Sequence, residues 1–465
     1  MVAPIFKKGS RHLAENYRPV SLTSVPCKIM EHIICSHIRG HLDKHNILSK
    51  FQHGFRKGHS CESQLLITLN ELMYWRDCGV QCDIAVLDFA KAFDTVPHES
   101  LLGKLEHYGI NANIHMWIRA FLSNRTQEVV VDGVKSNRAS VASGVPQGTV
   151  LGPLLFLLHI NDLPDNVQSR VRLFADDCLL YRAIQSVEDA VILQNDLDAL
   201  KAWGDLWGMK FNVKKCNILT VSRSRTPITK LYTLGGEALS QVDQAKYLGV
   251  LITEELSWSP HITSITSKAN GILGFLQRNL KRCPKPLKEL AYMTLVRSKL
   301  EYCAAIWDPY LKKDIHLLDK VQRRSARYVC NNYDYMDSSV TAMLKELGWL
   351  DLAQRRKHLR LALFYKIVND LIAVPHEDIL ERADPRTRAG NKKNYRPLNP
   401  DTNCYKYSFF GSTILDWNRL PQVLVESPSV DSFKAGLYRA ACPTANTLAA
   451  SQSAGRPEPA CASLV

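Results

Sequence analysis

The sequence predicts an α+β fold: a layer of helices and antiparallel strands, followed by a purely helical region. Three observations carry this expectation. Short apolar runs of strand character alternate with helical periodicities through the first half. The Val-Val-Val-Asp-Gly-Val run from Val129 to Val134 is a hairpin signal, because an Asp-Gly pair accepts positive φ. From Pro260 to about Val368 only helical spacing remains. At 465 residues the chain exceeds one compact core, so two or three packed units are expected.

Taken in order, Val25–Leu42 and Ser60–Trp75 repeat apolar residues at helical spacing. The run Asp83–Leu87 reads as a strand that stops at Asp88. Ser100–His107 and Ile114–Leu122 read as helices, and Thr149–Leu163 as a buried helix with Pro153 near its start. Val171–Tyr181 forms two short apolar arms around Asp176-Asp177, a hairpin with acids at its bend. Val187–Trp207 is a helix by the spacing of Ala190, Leu193, Leu197, Leu200 and Trp203. Cys216–Val221 and Tyr247–Ile252 are strand-like. The charged, turn-rich interval Arg382–Pro400 reads as a linker, and a short aromatic block, Tyr405–Trp417, follows it. The Ala/Ser/Pro-rich tail from Thr444 is expected to be disordered. No internal repeat is visible.

Composition narrows the function classes. With 46% hydrophobic and 22% charged residues the chain is an ordinary globular protein. Its longest apolar run, Val150–Ile160, is far short of a membrane span and is broken by Pro153. Met1 leads directly into Pro4, Lys7 and Lys8 without a secretory signal, so an intracellular protein with no membrane partner is expected. The 13 cysteines are scattered singly, as expected of reduced thiols rather than disulfides or a zinc site. His37, His41 and His45 share a helical face and read as a surface stripe, since no fourth metal ligand is evident. The net charge is +14, and His261–Cys330 alone carries 14 Lys and Arg against 5 Asp and Glu. A concentrated basic face suits a phosphate-backbone partner, although many solvated helices are equally basic.

The acids point to chemistry. By itself Asp176-Asp177 reads as a solvated turn. Its apolar flanks, Leu173-Phe174-Ala175 and Cys178-Leu179-Leu180-Tyr181, change that reading, because acids held between buried arms require compensating cations or donors. Two-metal phosphoryl transfer needs two or three carboxylates at a fixed height, and Asp88 closes a neighbouring strand-like run.

Phe174-Ala175-Asp176-Asp177 resembles the catalytic hairpin of reverse transcriptases from non-LTR, LINE-type retrotransposons. Asp88-Phe89-Ala90-Lys91-Ala92-Phe93-Asp94 resembles that family's first acidic motif, and Ser143-Gly144-Val145-Pro146-Gln147-Gly148 its nucleotide- and template-contacting loop. Upstream, Pro4-Ile5-Phe6-Lys7-Lys8-Gly9, Asn16-Tyr17-Arg18-Pro19-Val20-Ser21-Leu22 and Gln52-His53-Gly54-Phe55-Arg56 resemble its fingers motifs. Downstream, Asn212-Val213-Lys214-Lys215-Cys216 and Tyr247-Leu248-Gly249-Val250 resemble its late palm motifs. The remainder is similar, more loosely, to the thumb and C-terminal segment of Jockey-like elements.

This resemblance implies a right-hand polymerase fold, with fingers and palm over residues 1–256, a helical thumb over 257–375, a C-terminal segment over 376–443 and the tail at 444–465. It implies an RNA-directed DNA polymerase working on an RNA template, a DNA primer and dNTPs, with two Mg²⁺ ions (or Mn²⁺ in their place) held by Asp88, Asp176 and Asp177. Asp94 is expected to serve by structural hydrogen bonding. By the same resemblance, Phe93 stacks under the incoming sugar and excludes a 2′-hydroxyl, and Phe89 lies beside the nucleotide. Lys8 and Arg18 would grip the triphosphate, with Lys7 as an equally placed competitor. Gln147 and Gly148 would meet the base pair. Gly144, Pro146 and Arg56 would touch the template, and Tyr247-Leu248-Gly249 would support the primer end. Lys215 would protonate the pyrophosphate as a general acid.

Two other readings compete: an RNA-templated RNA polymerase, which Phe93 opposes, and a catalytically silent nucleic-acid-binding remnant, which the three intact acids oppose. The chain begins inside the first fingers motif, so an N-terminally truncated element product is expected, without the upstream endonuclease and without a terminal Cys/His knuckle among Cys404, Cys442 and Cys461. A target-primed element would work in the nucleus.

Overall fold

The computed structural model describes residues 1–334, 339–384 and 391–441. The expected disordered tail, with Cys442 and Cys461, lies outside the described residues, as does the middle of the expected linker. Two compact units emerge. One comprises Met1–Ser60, Gln81–Thr220 and Ser224–Asp243; the other comprises Cys61–Val80, Val221–Arg223 and the described residues from Gln244 onward.

The first unit is built on a five-stranded sheet in the spatial order Ser240–Val242, Asn217–Val221, Gln81–Asp88, Asp177–Ile184, Arg170–Phe174. Gln81–Asp88 pairs antiparallel with Asp177–Ile184 over its full length. Its residues Ile84, Ala85 and Leu87 are all buried, which explains a near-continuous apolar run rather than an alternating one. The helices Val25–Lys44, Leu151–Ile160 and Val187–Trp207 pack with this sheet into one core that includes Leu87, Leu155, Phe156, Cys178, Leu180 and Leu200. Leu151–Ile160 is buried along its whole length except Pro153, and proline is tolerated there because it falls in the first turn. Its leading amides are satisfied from outside: the fully buried Glu31 carboxylate accepts from Val150 N–H at 2.7 Å and Leu151 N–H at 2.9 Å. The Asp-Gly hairpin forms as expected, with positive φ of 49° at Asp132 and 82° at Gly133.

His159 on that buried helix gives a pH-dependent stability. Burial, reinforced by the Lys104 ammonium, lowers its pKa from 6.5 to about 4. The folded imidazole therefore stays neutral where the unfolded one binds a proton. Stability falls as pH drops from 6.5 towards 4, by up to roughly 3 kcal/mol from this residue. His159→Phe is expected to lose less stability than the parent between pH 7 and pH 4.5 in urea titrations; parallel losses would refute the assignment.

The second unit contains the hairpin Gln244–Tyr247/Val250–Thr253 and is otherwise largely helical. Tyr247–Ile252, read above as one strand, is this hairpin's turn and second arm, because Leu248 and Gly249 take φ of 44° and 85°. The helical expectation beyond Pro260 holds from Ser259–Asn279 through Leu352–Val368. None of the described helices is long and apolar enough to cross a membrane, and the described cysteines are free thiols.

The unit boundaries differ from those expected at 256/257 and 375/376. Helix Cys61–Asp77 belongs to the second unit, where Asp77 accepts from Thr402 N–H at 2.7 Å. The described part of Arg382–Pro400 is not a free linker. Asn391 is buried and donates to the carbonyls of Trp417 and Leu420 at 3.0 and 3.2 Å, and Asn418 pairs with the backbone of Tyr395. Its charged, turn-forming composition reflects backbone that is hydrogen-bonded by side chains, which composition cannot distinguish from solvation.

Part of the basic surplus is internal. Arg356 and Arg360, both buried, donate to Asp308 at 2.6 and 2.8 Å, and Arg360 also reaches Asp416 at 3.0 Å. Asp308→Ala leaves two buried guanidiniums short of a partner and is expected to cost about 3–5 kcal/mol. Urea denaturation measures this, and a loss below about 1 kcal/mol would show that Asp416 and solvent suffice.

Candidate active site

The acids meet because of strand register. Asp88 ends one central strand and faces Asp177, the first residue of the next, as direct cross-strand partners. Phe174 pairs with Asp177, so Ala175 and Asp176 are the whole of the turn. All three carboxylates therefore stand at one end of two adjacent strands, with neighbouring backbones about 5 Å apart.

Their electrostatics are strained in the direction that attracts cations. Partial desolvation, followed by the charges of Asp176 and Asp88, raises Asp177 from 3.8 to about 6. Desolvation and Asp88 also raise Asp176, against the opposing charges of Lys7 and Arg18. Lys215 donates to Asp88 at 2.7 Å, so an ammonium already stands at one carboxylate. The backbone of Asn212–Cys216 wraps the same acid: Asn212 N–H donates to the Asp88 carbonyl at 2.7 Å, and the Asp88 amide faces Cys216 Sγ at 3.4 Å. Among the described residues no three acidic, His or Cys groups converge closely enough to hold a metal ion by themselves. An open set of hard carboxylate oxygens fits ions that complete their shell with water and substrate phosphate. Asp88, Asp176 and Asp177 supply oxygens of that chemistry at one strand end, where substrate and water would have to complete any ion's shell.

Around the acids, the loop 143–148 is locked to the first acidic motif. Asp94 accepts from Gln147 Nε2 at 2.9 Å, and its carbonyl accepts from Ser143 Oγ at 3.0 Å. This is the structural bonding expected of Asp94. A Cβ on Gly144 would lie 2.7 Å from the Asp94 carbonyl oxygen, and φ there is +86°. Glycine is required on both counts. Phe93 is half-buried and stacks on the buried Phe156, with ring centroids 4.3 Å apart. Gly148 is exposed, and the Gln147 carbonyl accepts from Ser21 N–H at 2.7 Å, tying the loop to the strand that carries Arg18.

Several expected contacts are placed differently. Phe89 is only 3% exposed and stacks on Phe211 at 4.3 Å, so it is a core residue rather than a nucleotide contact. Its motif position concealed this because the aromatic side chain points away from the acid before it. Gly144 and Pro146 are buried within their loop rather than presented to a template. Arg56 spends its guanidinium on the carbonyls of Ser49 and Gln52, at 2.6 and 3.2 Å, closing its own loop. The charge of Lys7, the equally placed competitor of Lys8, opposes the upward shifts of Asp176 and Asp177. In the second unit, Tyr247 is buried and its hydroxyl accepts from Gln64 at 3.0 Å, which leaves the tip Leu248-Gly249 as the accessible part of that motif. Lys215 is an ion-pair partner of Asp88 in this structure rather than a free acid.

Gln52 was not singled out by sequence reasoning. Buried beside the Ala175-Asp176 turn, it accepts from Ala175 N–H at 3.0 Å and from Gly54 N–H at 2.7 Å. The signal lies in the Gln52-His53-Gly54 motif, an amide beside a glycine that permits close backbone approach.

A reverse transcriptase (RNA-dependent DNA polymerase) family model matches residues 5–252, which includes every element of this site. The chain belongs to the reverse transcriptase family. Among its relatives, the probable RNA-directed DNA polymerase from transposon BS of Drosophila melanogaster is 30% identical over 334 residues, covering 68% of this chain and 36% of the relative. The RNA-directed DNA polymerase from mobile element jockey of the same organism is 34% identical over 263 residues, covering 54% and 28%. The probable polymerase from transposon X-element is 28% identical over 323 residues, covering 68% and 35%. This reverse transcriptase chain spans about a third of the length of these relatives.

Proposed function

We propose that this chain is the RNA-directed DNA polymerase module of a Jockey-like non-LTR retrotransposon, which adds dNTPs to a DNA primer on an RNA template. The register of Asp88 against Asp177, with Asp176 at the turn between paired strands, is the observation that carries the proposal. A pair of divalent ions, Mg²⁺ by preference for oxygen ligands, would supply Lewis-acid activation of the primer 3′-hydroxyl and of the leaving pyrophosphate. Asp88, Asp176 and Asp177 would hold them. Lys7 and Arg18, whose charges already act on Asp176, would meet the triphosphate as it arrives. Phe93, braced by Phe156, would exclude a 2′-hydroxyl. Gln147, fixed by Asp94, would support the nascent base pair. Primer extension by the purified chain on an RNA template, with and without Mg²⁺, tests this; no Mg²⁺-dependent extension would instead favour a silent nucleic-acid-binding remnant.

The second unit supports a backbone-binding role. Helix Lys312–Cys330 exposes Lys313, His316, Lys320, Arg323 and Arg324, spaced so that they follow one face, while its Asp314 is buried. Lys313→Ala/Lys320→Ala/Arg323→Ala is expected to weaken duplex binding irrespective of sequence. It should also flatten the plot of log K against log salt by about 2–3. Fluorescence anisotropy across a salt series reads both, and an unchanged slope would remove this face from the interface.

A further inference from the structure

The catalytic turn carries an internal conflict. Ala175, immediately before Asp176, has φ of +53°, at the first position of a two-residue hairpin turn, where glycine is the favoured residue. An L-residue with a Cβ holds such a conformation only where its surroundings over-determine it. Those surroundings lie across a parallel bridge between Gln52 and Leu173. Leu173 N–H donates to the Phe51 carbonyl and His53 N–H to the Leu173 carbonyl, both at 2.9 Å. Beyond this bridge the backbone of Gly54 presses on the turn so closely that a Cβ there would lie 2.5 Å from Ala175 N and 3.1 Å from Phe174 C.

At this contact the Gln52 side chain takes over from the backbone. Its carboxamide oxygen accepts from both Ala175 N–H and Gly54 N–H, at 3.0 and 2.7 Å, and its residue is 2% exposed. Two converging N–H donors define which end of the amide is oxygen. The Nε2 end is buried without a hydrogen-bond partner. The acceptor end of this amide is therefore the end that the turn and Gly54 use.

We propose that Gln52 is a positioning residue: its carboxamide oxygen clamps the positive-φ Ala175 and thereby sets the height and direction of the Asp176 carboxylate. It touches no substrate and acts through the turn. Its bearing on catalysis rests on the polymerase reading above, whereas its hold on the turn does not.

Gln52→Leu removes the acceptor at nearly constant volume, and hydrogen exchange read by mass spectrometry reports on the turn without requiring activity. Exchange in peptides covering residues 173–178 is expected to accelerate roughly tenfold or more, while peptides within Leu151–Ile160 keep their protection. In primer extension kcat should fall roughly 10- to 100-fold, with KM for dNTP little changed, because an Å-scale displacement of one carboxylate acts on the chemical step. Ala175→Gly in the Gln52→Leu background should restore kcat by roughly twofold or more, since glycine takes positive φ without strain.

Unchanged exchange at 173–178 would overturn the clamp, even if the wild-type chain is active. If the wild-type chain shows no extension, the polymerase reading fails while the exchange result still decides the clamp. If Gln52→Leu exchanges rapidly everywhere, the double variant decides: recovered protection supports the clamp, and renewed global loss refutes it.

Discussion

Asp177→Asn is expected to lower Mg²⁺-dependent primer extension on RNA by roughly 10³-fold or more, without lowering the stability of the fold. The size follows from what the carboxylate would do. Lewis-acid stabilisation of a phosphoryl-transfer transition state is worth several kcal/mol, and each 1.4 kcal/mol is about tenfold in rate. The absence of a stability penalty follows from the site's own electrostatics. Asp177 is raised to about 6 by desolvation and by two like-charged neighbours, so the folded state carries a repulsion that the amide relieves. A thermal midpoint equal to or above the parent's, together with lost extension, is the expected pair of results. Retained extension would remove Asp177 from the ion-binding set. A collapsed midpoint would mean that the acid is chiefly structural.

Phe93→Ala is expected to reduce discrimination against ribonucleotides by about 10- to 200-fold, the range that removal of a steric contact in an apolar pocket supplies. The ring cannot yield easily in the parent, because it stacks at 4.3 Å on Phe156, which is itself wholly buried. Its backbone is equally tied down, since the Phe93 carbonyl accepts from Val145 N–H at 2.7 Å. A fixed wall of this kind would reject a 2′-hydroxyl by overlap rather than by a lost hydrogen bond. Comparing kcat/KM for dNTP and rNTP on one RNA template measures the effect. An unchanged ratio would leave Phe93 as a packing residue and reopen RNA synthesis as an alternative.

Residues with local pattern were legible in the sequence. The helix Val187–Trp207 carries its periodicity over 21 residues and closes with Gly208 in the left-handed region, so its limits follow from the chain alone. Asp176-Asp177 between apolar arms, and Asp88 at the end of an apolar run, likewise announced strand ends. Charged residues carry less local signal. Arg56, Arg356 and Arg360 look like any other basic side chains in sequence, yet each is spent inside the fold on carbonyls or Asp308. Phe89 was misplaced for the converse reason, since a motif records which residues recur but not which face of the chain they occupy.

The sequence by itself determined the α+β class, the helical second half, the reverse transcriptase motifs and the three acids, because each depends on local periodicity or on a short run of residue types. Only the tertiary structure decided that Asp88 lies opposite Asp177, and that Gln52, more than 120 positions away, accepts a hydrogen bond from the turn bearing Asp176. Those are matters of register and of contact between distant segments, where a shift of one residue would turn each side chain to the opposite face. Local pattern placed the acids at strand ends; long-range hydrogen bonding brought those ends together.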